Sequence, residues 1–325
     1  MRSANTLANS GTPYPFDGIP AQGKIQTGYW RGFKHLVRDL GSDPREILEH
    51  HDMDPVAFED PYHHIECTAL VNLLEYCSTL LQDPLFGLHL AERQDPDVLG
   101  CVTALARAAP TFRKALQSLI DYIPVCVSPE CELEMVTTRD IVELRWWTTH
   151  AGLDDSPQVY YHGLQLIMKT LQMLGGERLR ARYATLAFGV GRLEIQALQD
   201  RLACKVSGKA TANAIAFPVD ILDCPLATSN RMLFALLDRG MADVRAASRA
   251  SFVEQVEAYV RHGLSTRQCS VDDCAEAVGT SARTLQKRLT RMGVRFVDIV
   301  QTERVKLAKH ALLWSDRRIL AHDVP

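Results

Sequence analysis

Twenty residues near the C-terminal end, Ser270–Leu289, constrain this chain more than any others. Val271, Cys274, Ala275 and Val278 fall at i, i+3, i+4 and i+7, which is one apolar stripe on a short helix. Asp272 and Asp273 sit in its first turn, where negative charge complements the helix dipole, and Ser270 has the chemistry of an N-cap. Ala275 is small where two helices must approach. Gly279 can take the positive φ that ends one helix and redirects the chain. Ser281 then caps a second helix, about residues 282–292, whose inner side carries Leu285, Leu289 and Met292. Ala275, Gly279, Leu285 and Leu289 are thus the expected core of a helix-turn-helix.

The positions left facing outward are Arg283, Gln286, Lys287 and Thr290, with Arg291 beside them. Arginine and lysine pair with guanine edges and glutamine with adenine, each good contact giving roughly 1–3 kcal/mol of discrimination in a major groove. An ordinary helical hairpin with a solvated charged face shows the same spacing. Charge separates the two readings. Between Ala282 and Lys309 eight basic residues face only Asp298 and Glu303, a local +6 in a chain of net charge −3. Such an excess suits phosphate contacts, because only the docking face has to be positive. Double-stranded DNA is the expected partner.

The run from Gly279 to Leu289, followed by Gly293 and Phe296, resembles the first of two helix-turn-helix units in AraC/XylS-type transcriptional regulators. Phe296–Leu313 is similar to the long connecting helix of that family. The resemblance places the family's base-reading positions on Arg283, Gln286 and Lys287. It also implies a second unit, of which Ser315–Val324 resembles only the lead-in before the sequence ends at Pro325. The expectation is a C-terminally truncated module, with its connecting helix exposing an apolar face.

The full 325 residues leave room for two domains with separate cores. No 18-residue apolar run appears, so no membrane span is expected. Residues 1–25 read as a flexible tail without an apolar signal core. Nine cysteines at irregular spacing, an odd number, fit reduced thiols in a cytoplasmic protein better than a disulfide framework.

Residues 26–237 alternate helical and strand patterns, an α+β arrangement. Asp43 with Pro44 and Glu46 opens one helix, and Ile65, Ala69, Leu73, Cys77, Leu80 and Leu81 stripe another. Thr111 caps a helix to about Ile123, and Pro157–Leu174 is stopped by two glycines. Cys131–Thr149 reads as a β-hairpin in which Trp146 and Trp147 point to opposite faces, one of them into the core. Tyr183–Val190 and Ala214–Phe217 are further expected strands.

No phosphate loop, dinucleotide fingerprint or nucleophile elbow is present, so no catalytic residue and no cofactor is assigned, and the chain is not read as an enzyme. His50 and His51 near Asp52 and Asp54, and His63 and His64 near Glu66 and Cys67, are the candidate metal ligands. Their spacing matches no known ligand set, and surface histidines are the default reading. Cys126 and Cys131 are the candidate redox pair, weighed against simple burial.

Phe86–Arg93, Leu99–Gly100, Ala108–Ala115 and Phe217–Leu226 together resemble the arabinose-binding-type N-terminal domain found in a subset of AraC-type regulators. That resemblance implies an effector-binding domain for an unidentified small molecule, with ligand residues unassigned. The expected architecture is an α+β effector domain, a linker over 238–250 and an all-α helix-turn-helix domain over 251–325, its second unit missing. The expected function is ligand-responsive DNA binding, as a homodimer if two half-sites are read. The alternative is a truncated interaction module that dimerises with full-length relatives in a dominant-negative way and binds little DNA itself.

Overall fold

Side-chain caps start several of the helices in the computed structural model, which describes residues 23–314 apart from 62, 129–130, 149–155 and 267–268. The N-terminal body begins with β1 (Lys24–Gln26), α1 (Phe33–Asp39) and α2 (Pro44–His50). Pro44 stands at the first helical position of α2, and Asp43 Oδ1 accepts the Arg45 N–H at 2.8 Å. β2 (His64–Glu66) pairs antiparallel with β1, Ile25 opposite Ile65. Lys24 and Ile25 therefore belong to a strand, not to the expected tail, whose residues 1–22 lie outside those described. Ile65 likewise leaves the stripe assigned to α3 (Cys67–Leu80).

Next come α4 (Phe86–Glu92), α5 (Cys101–Ala108) and α6 (Phe112–Cys126). Thr111 Oγ1 caps α6 by accepting the Lys114 N–H at 3.3 Å. The helix continues past Ile123 through Pro124. Proline removes one backbone hydrogen bond there, but Ile123, Val125 and Cys126 are all buried, so packing carries the last turn.

A mixed sheet follows, built from β3 (Cys131–Thr137), β4 (Ile141–Thr148), β5 (Tyr183–Thr185), β6 (Lys205–Ser207) and β7 (Asn213–Pro218). Its order is β3-β4-β7-β5-β6, antiparallel except for the β5–β6 pair. The strand expected over Tyr183–Val190 stops at Thr185. The Ala187 N–H is taken by the Asn213 side chain at 2.9 Å and so leaves the ladder. α7 (Pro157–Gly175) and α8 (Arg192–Leu202) complete this body. Helices α4 and α7 touch at backbone distance at Gly87, where an added Cβ would lie 2.0 Å from the Gln158 carbonyl oxygen.

The segment expected to be a linker is instead helical. α9 runs unbroken from Arg231 to Thr266, so residues 238–250 form its middle. Met241 and Val244, one turn apart, are buried in the N-terminal core and Arg245 bonds Asp121 on α6 at 3.3 Å. Gly240 costs about 1 kcal/mol in a helix, which this packing readily offsets.

Past residue 250 a second apolar core forms from Phe252, Val256 and Val260 of α9 together with α10 (Val271–Ala277), α11 (Ala282–Arg291) and Ile299 of α12 (Phe296–Trp314). One buried ionic knot ties this core together. Glu303, 1% exposed in its side chain, bonds Arg261 of α9 at 3.0 Å and Lys306 at 2.6 Å. Val297, Val305 and Leu307 are exposed on α12. The expected lead-in to a second unit, Ser315–Val324, lies outside the described residues.

Two measurements check this packing. Gly87→Ala forces α4 from α7 and should cost about 2–3 kcal/mol of unfolding free energy, an overpacking penalty; a neutral effect would show that the helices are not in backbone contact. Hydrogen bonds from Arg261 and then Lys306 hold the Glu303 carboxyl below its ordinary 4.5. Its contribution is therefore complete above pH 4.5 and lost as the pH falls through the lowered folded value. Glu303→Gln should flatten that acid-side loss in thermal melts of the C-terminal unit, whereas an unchanged pH profile contradicts the knot.

Candidate nucleic-acid interface

The turn between α10 and α11 follows from its residues. Ser270 Oγ accepts the Asp273 N–H at 3.0 Å and starts α10. Gly279 adopts φ +69°, its N–H reaching the Glu276 carbonyl at 3.0 Å while the Thr280 N–H reaches Ala275 at 2.8 Å. This pair of bonds is the Schellman stop that only a residue tolerant of positive φ makes cheaply. Ser281 Oγ then accepts the Thr284 N–H at 3.3 Å and starts α11. Of the expected core positions Ala275, Leu285 and Leu289 are buried, with Cys274, in the cluster of Phe252, Val256 and Val260, while Gly279 is only half-buried at the turn. Burial also pushes the Cys274 thiol up to about 11, leaving it a small hydrophobe at neutral pH.

On the opposite side of α11, Arg283, Gln286, Lys287, Thr290 and Arg291 are all exposed. The first four share one face by their spacing. Arg288 lies elsewhere, its guanidinium 3.9 Å from the Phe252 ring centre, and braces α11 against α9.

Two of the five outward residues are engaged by the N-terminal body. Lys287 Nζ lies 4.3 Å from the centre of the Trp147 ring, and Arg291 Nη1 bonds Glu132 Oε2 at 2.7 Å. Glu132 and Trp147 are direct cross-strand partners in the β3–β4 ladder, so they project together from one face. The Glu132 side chain is only 7% exposed, and Arg291 is its cation. The adjacent rung, Leu133 opposite Trp146, faces the other way into the body. There Trp146 borders an apolar cavity of about 170 Å³.

Sequence reasoning split the two indoles between faces but did not foresee that Trp147 meets the basic helix. Nothing local marks Glu132 as the partner of a residue 159 positions away. The other candidates fall into ordinary packing. His50 and His51 set their rings against Tyr76 at 5.1 and 4.6 Å, and His64 pairs with Gln26 in the small sheet. Among the described residues no three His, Cys, Asp or Glu side chains gather to hold a metal. Cys126 is buried at the end of α6, and Cys131 opens β3. No helix of the described residues is long and apolar enough to cross a membrane.

Residues 41–226 match the family described as the arabinose-binding domain of AraC transcription regulators, N-terminal part. The HTH-type transcriptional regulator VirS of Mycobacterium tuberculosis, in strains CDC 1551 / Oshkosh and ATCC 25618 / H37Rv, is 28% identical over 281 residues, covering 86% of this chain and 82% of its own length. The crystal structure of the transcriptional regulator CdpR from Pseudomonas aeruginosa aligns over 86% of each chain at 18% identity, with a TM-score of 0.46.

The dock between helix and hairpin has a direct test. A double-mutant cycle of Glu132→Gln and Arg291→Gln in the full chain should show a coupling of about 1–2 kcal/mol, discounted for the half-exposed arginine. Additive effects of the two substitutions would mean that the contact contributes nothing.

Proposed function

We propose that this chain, which belongs to the AraC-type transcription regulators carrying an arabinose-binding-type N-terminal domain, binds duplex DNA by placing α11 in the major groove, and that the N-terminal body controls access to that helix. The observation that carries this reading is the glycine-stopped, serine-capped pair α10–α11 with Arg283, Gln286, Lys287 and Thr290 exposed on one face. Arg283 and Gln286 are suited to base edges, Lys287 and Arg291 to a base or a phosphate. The local +6 supplies the counterion-release term that a chain of net charge −3 otherwise lacks.

Lys287 and Arg291 cannot serve DNA while they hold Trp147 and Glu132. The arrangement is therefore read as the closed state. Opening it gives up at least the cation–π contact of Lys287, roughly 0.5–2 kcal/mol, and the charge-assisted hydrogen bond of Arg291, roughly 1.5–3 kcal/mol. An effector with a differential affinity of that order for the open form is sufficient to shift the balance. A dimer would set two such helices on spaced half-sites.

Two sets of variants test the assignment on duplexes that the purified full chain selects from a random pool. Arg283→Ala with Gln286→Ala should lower affinity for the selected sequence at least about thirtyfold and leave non-specific binding nearly intact. Glu132→Gln with Trp147→Ala should raise effector-free affinity about tenfold or more. Retained sequence preference in the first pair removes α11 as the reader. Unchanged affinity in the second removes the closed-state reading. A chain that selects no sequence at any salt concentration favours the interaction-module alternative.

A further inference from the structure

The cavity behind Trp146 has a composition that narrows what it can hold. It lies between α3, α6, α7 and the β3–β4 hairpin, and among the described residues no lysine, arginine, aspartate or glutamate lines it. Its one titratable imidazole is neutral. Gln94 donates both amide hydrogens, to the carbonyls of Tyr29 at 2.8 Å and Arg31 at 3.0 Å, so its Oε1 must accept. His162 Nε2, 2.8 Å from that oxygen, therefore carries the proton. Burial pushes His162 down to about 4, and its ring stacks on Trp30 at 5.1 Å.

The hydroxyl groups along the wall already have partners. Tyr29 donates to the Cys126 carbonyl at 2.9 Å, Thr170 to Leu166 at 2.8 Å, and Tyr160 and Thr148 lie 3.1 Å apart. Two indoles do not. Trp30 Nε1 and Trp146 Nε1 are buried without any hydrogen-bond partner, in residues 7% and 4% exposed that both line the cavity. Buried donors are nearly always paired, and leaving one unpaired is costly. Two orphans on one cavity wall point to an acceptor supplied from outside.

Volume sets the size. An apolar cavity of about 150 Å³ accommodates benzene, and this one measures about 170 Å³. We propose that the cavity is the effector site and that it takes an uncharged, compact aromatic molecule bearing one hydrogen-bond acceptor, to which the indole N–H groups of Trp30 and Trp146 donate. The proposal rests on the reading of the N-terminal body as the effector domain. It excludes a sugar, whose many hydroxyls would meet an almost wholly apolar wall, and a carboxylate, which would be buried without a cation. An occupant lies beside Trp146 and Leu133 and also beside Trp147, the cross-strand partner of Glu132, so it acts on the same two strands that hold α11.

Calorimetric titration of the full chain with four probes tests the class: acetophenone, toluene, benzoate and L-arabinose. Acetophenone should bind saturably and about tenfold more tightly than toluene, which lacks the acceptor, while benzoate at neutral pH and arabinose give no saturable heat. Trp30→Phe or Trp146→Phe should bring acetophenone towards the toluene value and leave toluene unchanged. Should either variant fail to fold, the ranking on the unaltered chain decides. Benzoate or arabinose binding as tightly as acetophenone overturns the proposal, and so does the absence of saturable binding by both neutral aromatics. Because DNA selection needs no ligand, a failure here leaves the DNA-binding reading standing, and failure of DNA selection leaves this result intact.

Discussion

The pleat of a β-hairpin is the constraint on which this molecule turns. Along β3 and β4 successive rungs face opposite ways, so Leu133 with Trp146 must enter the N-terminal body if Glu132 with Trp147 faces outward. A one-residue slip would exchange the two pairs, putting a carboxylate into an apolar cavity and an indole–leucine pair under a basic helix. Register is therefore set from both sides. The interior demands Trp146 and Leu133, and α11 supplies the cations that make a nearly buried Glu132 tolerable.

The size of the contacts suits a regulator. The dock on α11 includes an ion pair and a cation–π contact, whereas each core is a continuous apolar cluster. Separating the two bodies at that surface costs a few kcal/mol, far less than unfolding either of them. α9 remains a covalent and helical connection, with Met241 and Val244 in one core and Phe252, Val256 and Val260 in the other. Motion at the dock is then limited to what one long helix permits. That suits a two-position device better than a loose tether would.

The cavity and the dock are also linked through charge. The cavity wall is neutral because Gln94 fixes the His162 proton and burial keeps the ring uncharged. The groove on the other side of the hairpin is ionic, lined by Asp121, Glu132, Arg245 and Arg291. The neutral cavity and the ionic groove meet at Leu133, which lines both.

Much of this was legible before any coordinates. Ser270, Gly279 and Ser281 act through bonds to residues two to five positions away, so a local reading finds them, and the inward set Ala275, Leu285 and Leu289 follows from helical period alone. The caps at Asp43 and Thr111 and the 131–148 hairpin are legible for the same reason. α8 was missed because only Leu198 and Leu202 on it are buried, too few to print a stripe. The supposed linker misled because its small and charged residues look loose, while Met241 and Val244 become an apolar stripe only when a core is set beside them. Sequence by itself determined the two-helix turn, its outward basic face and the two-core organisation. Tertiary structure alone decided that Glu132 meets Arg291, that Trp147 lies under Lys287 and that Trp30 and Trp146 share a wall, because contacts between residues far apart in the chain leave no periodic trace in it.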